Sequence, residues 1–393
     1  MIELQVIFWI CVFIVFYAYI GYGIILFILL KLKRITGKRP SFDSDFEPEV
    51  TLFVAAYNEK DYVAQKIKNT FELAYPREKL KIIWVTDGSD DGTEEILRQY
   101  PDVEVYHKPE RGGKIGAMNR GMKFVKTPIV IFSDANTDLG KNSVKEIVRL
   151  FSNPKVGCVS GEKRIYQSEK DNAATAGEGI YWKYESQLKK WDAELYSVVG
   201  AAGELFAIRT ELYQEVEKDT LLDDFIISLR VAKQGFTIQY NPEAYAIETS
   251  SANVKEELKR KIRISAGGIQ SVIRLKELLN PFKYGILSFQ YVSHRVLRWV
   301  IAPFLLPIIL ILNGIIISDI SSNFYLILFI LQILFYIAAL IGWYLENKKI
   351  KVKLLFIPYY FFIMNFAVFL GLRRYLKNSQ SVNWERAKRA NLK

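Results

Sequence analysis

Hydrophobic positions follow two patterns: long unbroken blocks near the ends, and short runs alternating with amphipathic stretches between them. Val6 to Leu30 is almost uninterrupted apolar and aromatic, and ends in Lys31, Lys33 and Arg34. That length suffices for a spanning helix, and the basic flank assigns its carboxyl end to the cytoplasm. Nothing basic precedes the block and no small-residue cleavage site follows it, so a retained anchor is expected rather than a leader. Trp299 to Ser318 and Phe324 to Leu345 are further spanning blocks, joined by the Asp319–Asn323 loop, which lacks basic residues and is expected outside. Leu354 to Leu372 has bases on both flanks, at Asn347–Lys353 and at Arg373 and Arg374, and contains Pro358 and Asn365. A crossing and a re-entrant or interfacial element are both open for it, giving three or four crossings.

Between these blocks, strands and helices alternate from Glu49 onward. VTLFVAAY, KIIWVTD (Lys81–Asp87), VEVYHK and PIVIFSD read as strands, and Glu59–Ala74, Gly92–Gln99 and Lys114–Val125 as helices. This alternation predicts a doubly wound α/β sheet with right-handed crossovers. Three strands run out into polar turns: Tyr57-Asn58-Glu59, Asp87 to Gly92, and Asp134-Ala135-Asn136. In a parallel sheet these turns share one edge, where such folds bind ligands. The run Ile129 to Leu139, IVIFSDANTDL, is the centre of that edge. Its Asp134 and Asn136 offer hard oxygen donors suited to Mg²⁺ or Mn²⁺ with a phosphorylated ligand, although an Asx-rich turn explains them equally.

Composition narrows the class. Of 393 residues, 50% are hydrophobic and 24% charged, with a formal net charge of +11. Nucleic acid, anionic lipid or the positive-inside bias would each explain the excess; the bases flank apolar blocks, which favours the last and argues against nucleic acid. Cys11 and Cys158 have no metal-ligand spacing and imply no disulfide framework.

Other residues carry two readings each. Asp87 and Asp91 can bind a ligand or make a cap and turn. Lys114, after Arg111-Gly112-Gly113, suits an anion or is a solvated turn lysine. Tyr181, Trp182, Tyr184, Trp191 and Tyr196 read as core. Gly200–Gly203 (GAAG) precedes the strand ELFAIR, where small residues permit close approach. Asp223 and Asp224 open a helix running to Lys233, as dipole partners or as site acids. Val254 to Leu279 is amphipathic, with Ile262, Ile264, Ile269, Val272, Ile273 and Leu275 on one face, and could lie on a membrane surface. Its Arg260 and Arg263 share a face, as a phosphate clamp or a lipid contact.

The ordered series A-Y-N-E (Ala56–Glu59), T-D-G-S-D-D-G-T (Thr86–Thr93), G-K-x-x-A-M-N (Gly113–Asn119), S-D-A-N (Ser133–Asn136), G-A-A-G (Gly200–Gly203), L-D-D-F (Leu222–Phe225) and R-K-I-R-I-S-A-G-G-I-Q (Arg260–Gln270) resembles the membrane-embedded family 2 glycosyltransferases. These include bacterial cellulose, hyaluronan and poly-N-acetylglucosamine synthases, and the resemblance covers essentially the whole chain. It implies a GT-A, Rossmann-like nucleotide-diphospho-sugar transferase domain plus transmembrane helices. The implied parts are an anchor over residues 1–34, the transferase domain over 48–253, amphipathic interfacial helices over 254–290, a membrane region over 295–372 and a basic cytoplasmic tail over 373–393.

The resemblance also implies roles. Ala55, Tyr57, Glu59, Asp87, Lys114, Asn119 and Asp134 would bind the nucleotide-sugar, expected to be a UDP-sugar. Asp134 and Asn136 match the D-x-D metal motif, and Asp224 matches the general base of T-E-D, beside Asp223. Arg260 and Arg263 match Q/R-x-x-R-W beside the diphosphate, and Gly200, Ala201 and Gly203 would border the acceptor. Three positions depart from the pattern: Asn136 for aspartate, Asp223 for glutamate, and Ile264 for the tryptophan beside the acceptor in synthases. A second R-x-x-R-W, Arg295–Trp299, abuts a spanning block and is read as an interfacial anchor, with the functional motif as the alternative.

The expected activity is inverting transfer that builds a β-linked extracellular polysaccharide, at a multi-pass cell-membrane protein with its catalytic domain in the cytoplasm. The acceptor would be a glycan or a lipid-linked sugar, in contact with the bilayer, and an export subunit is an open partner. Single-sugar transfer to a lipid carrier, or a catalytically inactive nucleotide-binding scaffold, are the alternatives.

Overall fold

Four apolar runs of the middle region form the parallel heart of one sheet. In the computed structural model, residues 2–37, 42–166, 174–249, 254–319, 322–348, 350 and 352–377 are described. The start of the expected linker at Lys38, the side chains of Tyr181 and Trp182, the centre of the Asp319–Asn323 loop, parts of the Asn347–Lys353 loop and the tail beyond Lys377 lie outside the described residues.

The strands are β1 (Val50–Ala56), β2 (Leu80–Asp87), β3 (Glu104–Lys108), β4 (Ile129–Asp134), β5 (Asp138–Leu139), β6 (Val156–Ile165), β7 (Leu205–Arg209) and β8 (Thr237–Glu248). Among the described residues they form one sheet in the order β3-β2-β1-β4-β7-β6-β8-β5. β1 pairs in parallel with β2 on one side and β4 on the other, with Ala55 opposite both Val85 and Asp134. The chain therefore reverses its direction of travel across the sheet at β1, and the crevice beyond its carboxyl end is the topological switch point.

The β1 run is unbroken because both faces are covered. Phe53 and Ala55 join the hydrophobic cluster on one face, with Ile83, Val85, Phe132 and Phe206. Leu52, Val54 and Ala56 join the cluster on the other, with Trp84, Ile131 and Ile67. Helix Gly113–Gly121 packs so closely on the first face that a Cβ on Gly121 would overlap the Phe53 ring.

Half of the sheet has no parallel periodicity to announce it. β7 runs antiparallel to β4, with Leu205 opposite Ser133, which brings Gly203 and Glu204 beside the end of β4. β6 and β8 were not expected from the sequence; β6 carries Gly157, Gly161, Glu162 and Lys163, a poor strand composition that is overridden by pairing on both sides.

Four helical runs are long and apolar enough to cross a membrane: Ile2–Ile35, Ile286–Asp319, Asn323–Asn347 and Leu354–Leu376. The first two have 34 residues each, about 50 Å at 1.5 Å per residue, against about 30 Å of hydrocarbon. Both contain a π-helical segment, Tyr17–Gly21 and Val292–Ile301, joined where the Tyr17 hydroxyl meets Ser293 Oγ at 2.8 Å. The surplus length of the first run packs on helix Ala174–Leu195: Arg34 makes a forked pair with Glu194 (2.6 and 2.7 Å), and Phe27 lies on Trp191. Trp191 and Tyr184 are thus packing residues between domain and membrane helix.

On helix Val254–Arg274, Ala266, Ile269 and Val272 are buried in protein, while Ile273 on the same apolar stripe is 50% exposed. Cβ atoms on Gly267 and Gly268 would press on Leu222 and on Trp299 (2.7 Å each). Small residues permit this close docking, so part of the stripe serves the core. The last helix, Lys353–Leu376, is continuous through Pro358. It runs beside Val254–Arg274 from Tyr360, whose ring lies 5.7 Å from Lys261 Nζ, to Gly371, where a Cβ would be 2.8 Å from Ala266 N.

Candidate active site

The turns after β1 and β2 are latched together. Asn58, in a left-handed conformation (φ 53°), donates from Nδ2 to Asp90 at 2.8 Å and accepts from the Asp90 amide at 3.0 Å. Asp91 accepts from the Lys60 and Thr93 amides at 3.1 and 3.0 Å. Burial works against the Asp91 charge, but these bonds outweigh it and leave its carboxyl below the usual range. Asp90 and Asp91 thus hold the edge of the crevice. Asp87 is buried and accepts from the Gly112 amide at 3.0 Å and the Gly113 amide at 2.7 Å. Gly113 has φ 77°, which only glycine adopts without strain, and this turn aims Lys114 into the crevice. Arg111 lays its guanidinium 3.6 Å from the centroid of the Tyr57 ring, forming a flat cationic wall.

Lys114 is the centre of charge. Its Nζ lies 3.1 Å from Asp134 Oδ1 and 3.2 Å from Asp223 Oδ2, the latter outside hydrogen-bonding geometry. Burial alone would push the ammonium down; Asp134, Asp223 and Asp224 outweigh it and raise it. Asp224 is held beside the glycine turn before β7: a Cβ on Gly203 would stand 3.1 Å from Asp224 Oδ2. Burial and the neighbouring Asp223 carboxylate push Asp224 up to about 7, and Lys114 acts in the opposite sense. Arg263 is half-buried; desolvation lowers it, and it lies in the field of Asp223, Asp134 and Asp224. Arg260 sits one turn away and grips Glu257 through two 3.1 Å bonds.

Several residues in this neighbourhood were not legible as site residues. Lys66 lies behind the Asp134–Thr137 turn, where Nζ donates to Ser133 Oγ at 2.8 Å and to the Thr137 carbonyl at 2.7 Å. Burial pushes it down to about 7. Its position on the apolar face of helix Lys60–Phe71, with Val63, Ile67 and Thr70, was the available signal. Lys163 bridges Glu204, at 2.5 Å, and Glu248. Burial would raise the Glu204 carboxyl, but Lys163 holds it well below its usual range, and that negative charge is one reason Asp224 is raised. Lys163 and Glu248 stand on the unexpected strands, so nothing in the sequence pairs them.

The remaining sequence candidates separate. Tyr57, Glu59, Asp87, Lys114, Asp134, Asn136, Asp223, Asp224 and Gly203 all belong to turns or helix starts at the carboxyl edge of β1, β2 and β4 or facing it. Ala55 is buried on β1. Asn119 is committed elsewhere: Nδ2 donates to the Val216 carbonyl at 2.8 Å, and Oδ1 accepts from Tyr213 Oη at 2.7 Å and the Val216 amide at 3.1 Å. Gly200 (φ 90°) lies under the Phe225 ring, and the Ala201 amide donates to Ser228 Oγ at 3.0 Å, so both dock the turn onto helix Asp223–Lys233. Arg295 and Arg298, of the second R-x-x-R-W, are buried and paired with Glu185 at 2.8 and 3.0 Å. They are not exposed at a membrane interface.

Among the described residues, no three His, Cys, Asp or Glu side chains group to enclose a metal ion. Asp134 and Asn136 supply two oxygen donors at an open edge, which fits a Mg²⁺ or Mn²⁺ ion whose other ligands are phosphate oxygens and water.

Comparison with known proteins agrees with the fold. The family model described as "Glycosyltransferase like family 2" matches residues 48–267. The poly-beta-1,6-N-acetyl-D-glucosamine synthase of Staphylococcus aureus (strain MSSA476) is 25% identical over 273 residues, 67% of this chain and 65% of the relative. A probable glycosyltransferase, YdaM, of Bacillus subtilis (strain 168) is 27% identical over 249 residues, 60% of this chain and 58% of the relative. The alignments thus span 65% or less of these relatives' own length. The solved structure of mannosyltransferase PcManGT from Pyrobaculum calidifontis, in complex with GDP-Man and Mn²⁺, superposes with TM-score 0.69 at 20% identity, covering 95% of this chain and 99% of that one. At that identity the likeness establishes the shared GT-A fold.

Proposed function

The chain belongs to the glycosyltransferase like family 2, and from that premise we propose that it transfers a sugar from a nucleotide-diphospho donor, with inversion, to an acceptor presented at the membrane. One observation carries the reading: a half-buried lysine, Lys114, is held between Asp134 and Asp223 at the switch point, with Asp224 next in sequence. That arrangement joins a diphosphate site to a base.

The nucleoside would lie between Asp87 and the Tyr57–Arg111 wall, with the diphosphate toward Lys114 and Arg263. A divalent ion on Asp134 and Asn136 would offset charge on the diphosphate. Asp224 takes the proton of the acceptor hydroxyl as its oxygen bonds the anomeric carbon; the carbon–oxygen bond to the diphosphate breaks, and the pair leaves with the nucleotide. Lys114 and Arg263 stabilise that leaving charge. Attack from the face opposite the diphosphate turns an α-linked donor into a β-linked product.

UDP is our preferred nucleotide, and a β-linked polysaccharide our preferred product, supported by the relatives named as poly-N-acetylglucosamine synthases. Single transfer to a lipid-linked acceptor is the second reading, favoured by Ile264 where synthases carry a tryptophan. The bases after the first apolar block, Lys31, Lys33 and Arg34, support a cytoplasmic catalytic domain at the cell membrane. The docking of Gly371 on Ala266 supports placing the last helix on the domain's side of the bilayer, with three crossings.

The test is nucleotide release by purified protein with Mn²⁺ or Mg²⁺, over UDP-glucose, UDP-N-acetylglucosamine, UDP-glucuronate, UDP-galactose and GDP-mannose, beside Asp224→Asn. Release with one donor, lost in the variant, supports transfer and names the sugar; a product ladder supports polymerisation and a single addition the lipid-carrier reading. No turnover with any donor in the presence of membrane extract, despite nucleotide binding, would leave a scaffold.

A further inference from the structure

The π-helical segment Val292–Ile301 buries four polar side chains, Ser293, His294, Arg295 and Arg298. His294 meets Asp192 at 2.5 Å, and Arg295 and Arg298 take the two oxygens of Glu185 at 2.8 and 3.0 Å. Asp192 also accepts from Tyr22 of the first long helix and from Gln290 at 3.1 Å. A buried charge cluster this complete fixes one arrangement of its helices, because any shift strands an ion. π-helical turns recur where a helix must aim side chains for function.

Two arms of this cluster reach the turns around Asp224. Arg295 Nε donates to the Val199 carbonyl at 3.0 Å, the residue before the Gly200–Gly203 turn. Trp299, 5.1 Å from the Arg295 guanidinium, packs its ring 5.1 Å from that of Phe225, the residue after Asp224, and closes on Gly268 of the helix that carries Arg263. The turns are themselves locked together: Ser228 Oγ accepts from the Ala201 amide at 3.0 Å and donates to the Asp224 carbonyl at 2.7 Å. We propose that Arg295 and Trp299 are positioning residues of the transfer site, holding from the membrane side the turn Gly200–Gly203 and the helix start at Asp224. The inference rests on Asp224 acting as the base; it makes the membrane helix part of the catalytic frame rather than an anchor alone.

The test uses the full chain in lipid nanodiscs, with Trp299→Leu, Trp299→Phe and Arg295→Lys. Three quantities are read: kcat for transfer, the affinity for UDP with Mn²⁺, and amide hydrogen exchange over residues 200–203 and 222–226. Trp299→Leu is expected to lower kcat by about 10²-fold, the scale set by small misplacements of reacting groups, while UDP affinity holds and exchange in both turns accelerates. Trp299→Phe, which keeps a ring on Phe225, recovers most of the rate, and Arg295→Lys falls between. Unchanged exchange in both turns overturns the inference, and so does a UDP affinity that falls in step with kcat. A parent protein that transfers no sugar defeats the functional reading alone, since the exchange measurement still decides the positioning.

Discussion

Lys114 and Asp134 meet at 3.1 Å, twenty residues apart in sequence, one opening a helix and the other ending a strand. The contact exists because Asp87 pins the Gly112–Gly113 turn through its two backbone amides and so points the lysine across β1. Lys114→Met removes the cation that favours ionised Asp224. The Asp224 carboxyl then moves further up, so the acid limb of the rate profile shifts to higher pH and UDP binds more weakly. Nucleotide release against pH in the variant checks this; an unmoved limb would sink it.

For the unmodified protein the sign follows from Asp224 being raised to about 7. A base works only when ionised, so kcat should climb with pH through about 7 and then level. Asp224→Asn should flatten the limb and lower kcat by about 10²–10⁴-fold, with UDP affinity retained.

Asn136 gives the edge one neutral donor beside the Asp134 carboxylate. Asn136→Asp adds a negative hard ligand and should lower the Mn²⁺ concentration for half-maximal UDP binding. Asp134→Ala, or chelation, should abolish that binding, as titration calorimetry would read.

Asn119 is expected to matter for stability and not for the nucleotide. Asn119→Ala breaks its three bonds to Tyr213 and Val216, a loss of about 1–3 kcal/mol for the groups left unpaired. A lower melting temperature with an unaltered UDP Kd supports this; the reverse pattern would return Asn119 to the site.

Arg295 and Arg298 share the Glu185 carboxylate, which is buried. Glu185→Leu leaves buried guanidinium groups facing an alkyl chain, at about 3–5 kcal/mol. Glu194→Gln, at the more exposed pair with Arg34, should barely move the melting temperature in the same detergent.

The residues that a local pattern can mark were legible. Continuous apolar runs ending in Asn58, Asp87 and Asp134 fixed three parallel strands and the edge they share, since burial on both faces leaves no polar position until the chain emerges. Helix Asp223–Lys233 and the acids that open it were equally plain. Pairings between distant elements were not. β6 carries glycine and charge, and β8 is broken by Asn241-Pro242-Glu243, where a strand pattern wants apolar alternation, so Lys163 and Glu248, and with them the restraint on Glu204, were hidden.

By itself the sequence determined which segments are buried and which residues end them, because hydrophobic period and turn chemistry are local properties. Only the tertiary structure decided which charges face one another. It turned Asn119 inward to Val216, buried Arg295 and Arg298 on Glu185, and packed Gly267 and Gly268 against Leu222 and Trp299. An amphipathic stripe reports that a face is covered and not by what. Lipid and protein interior satisfy it equally until the partners are known.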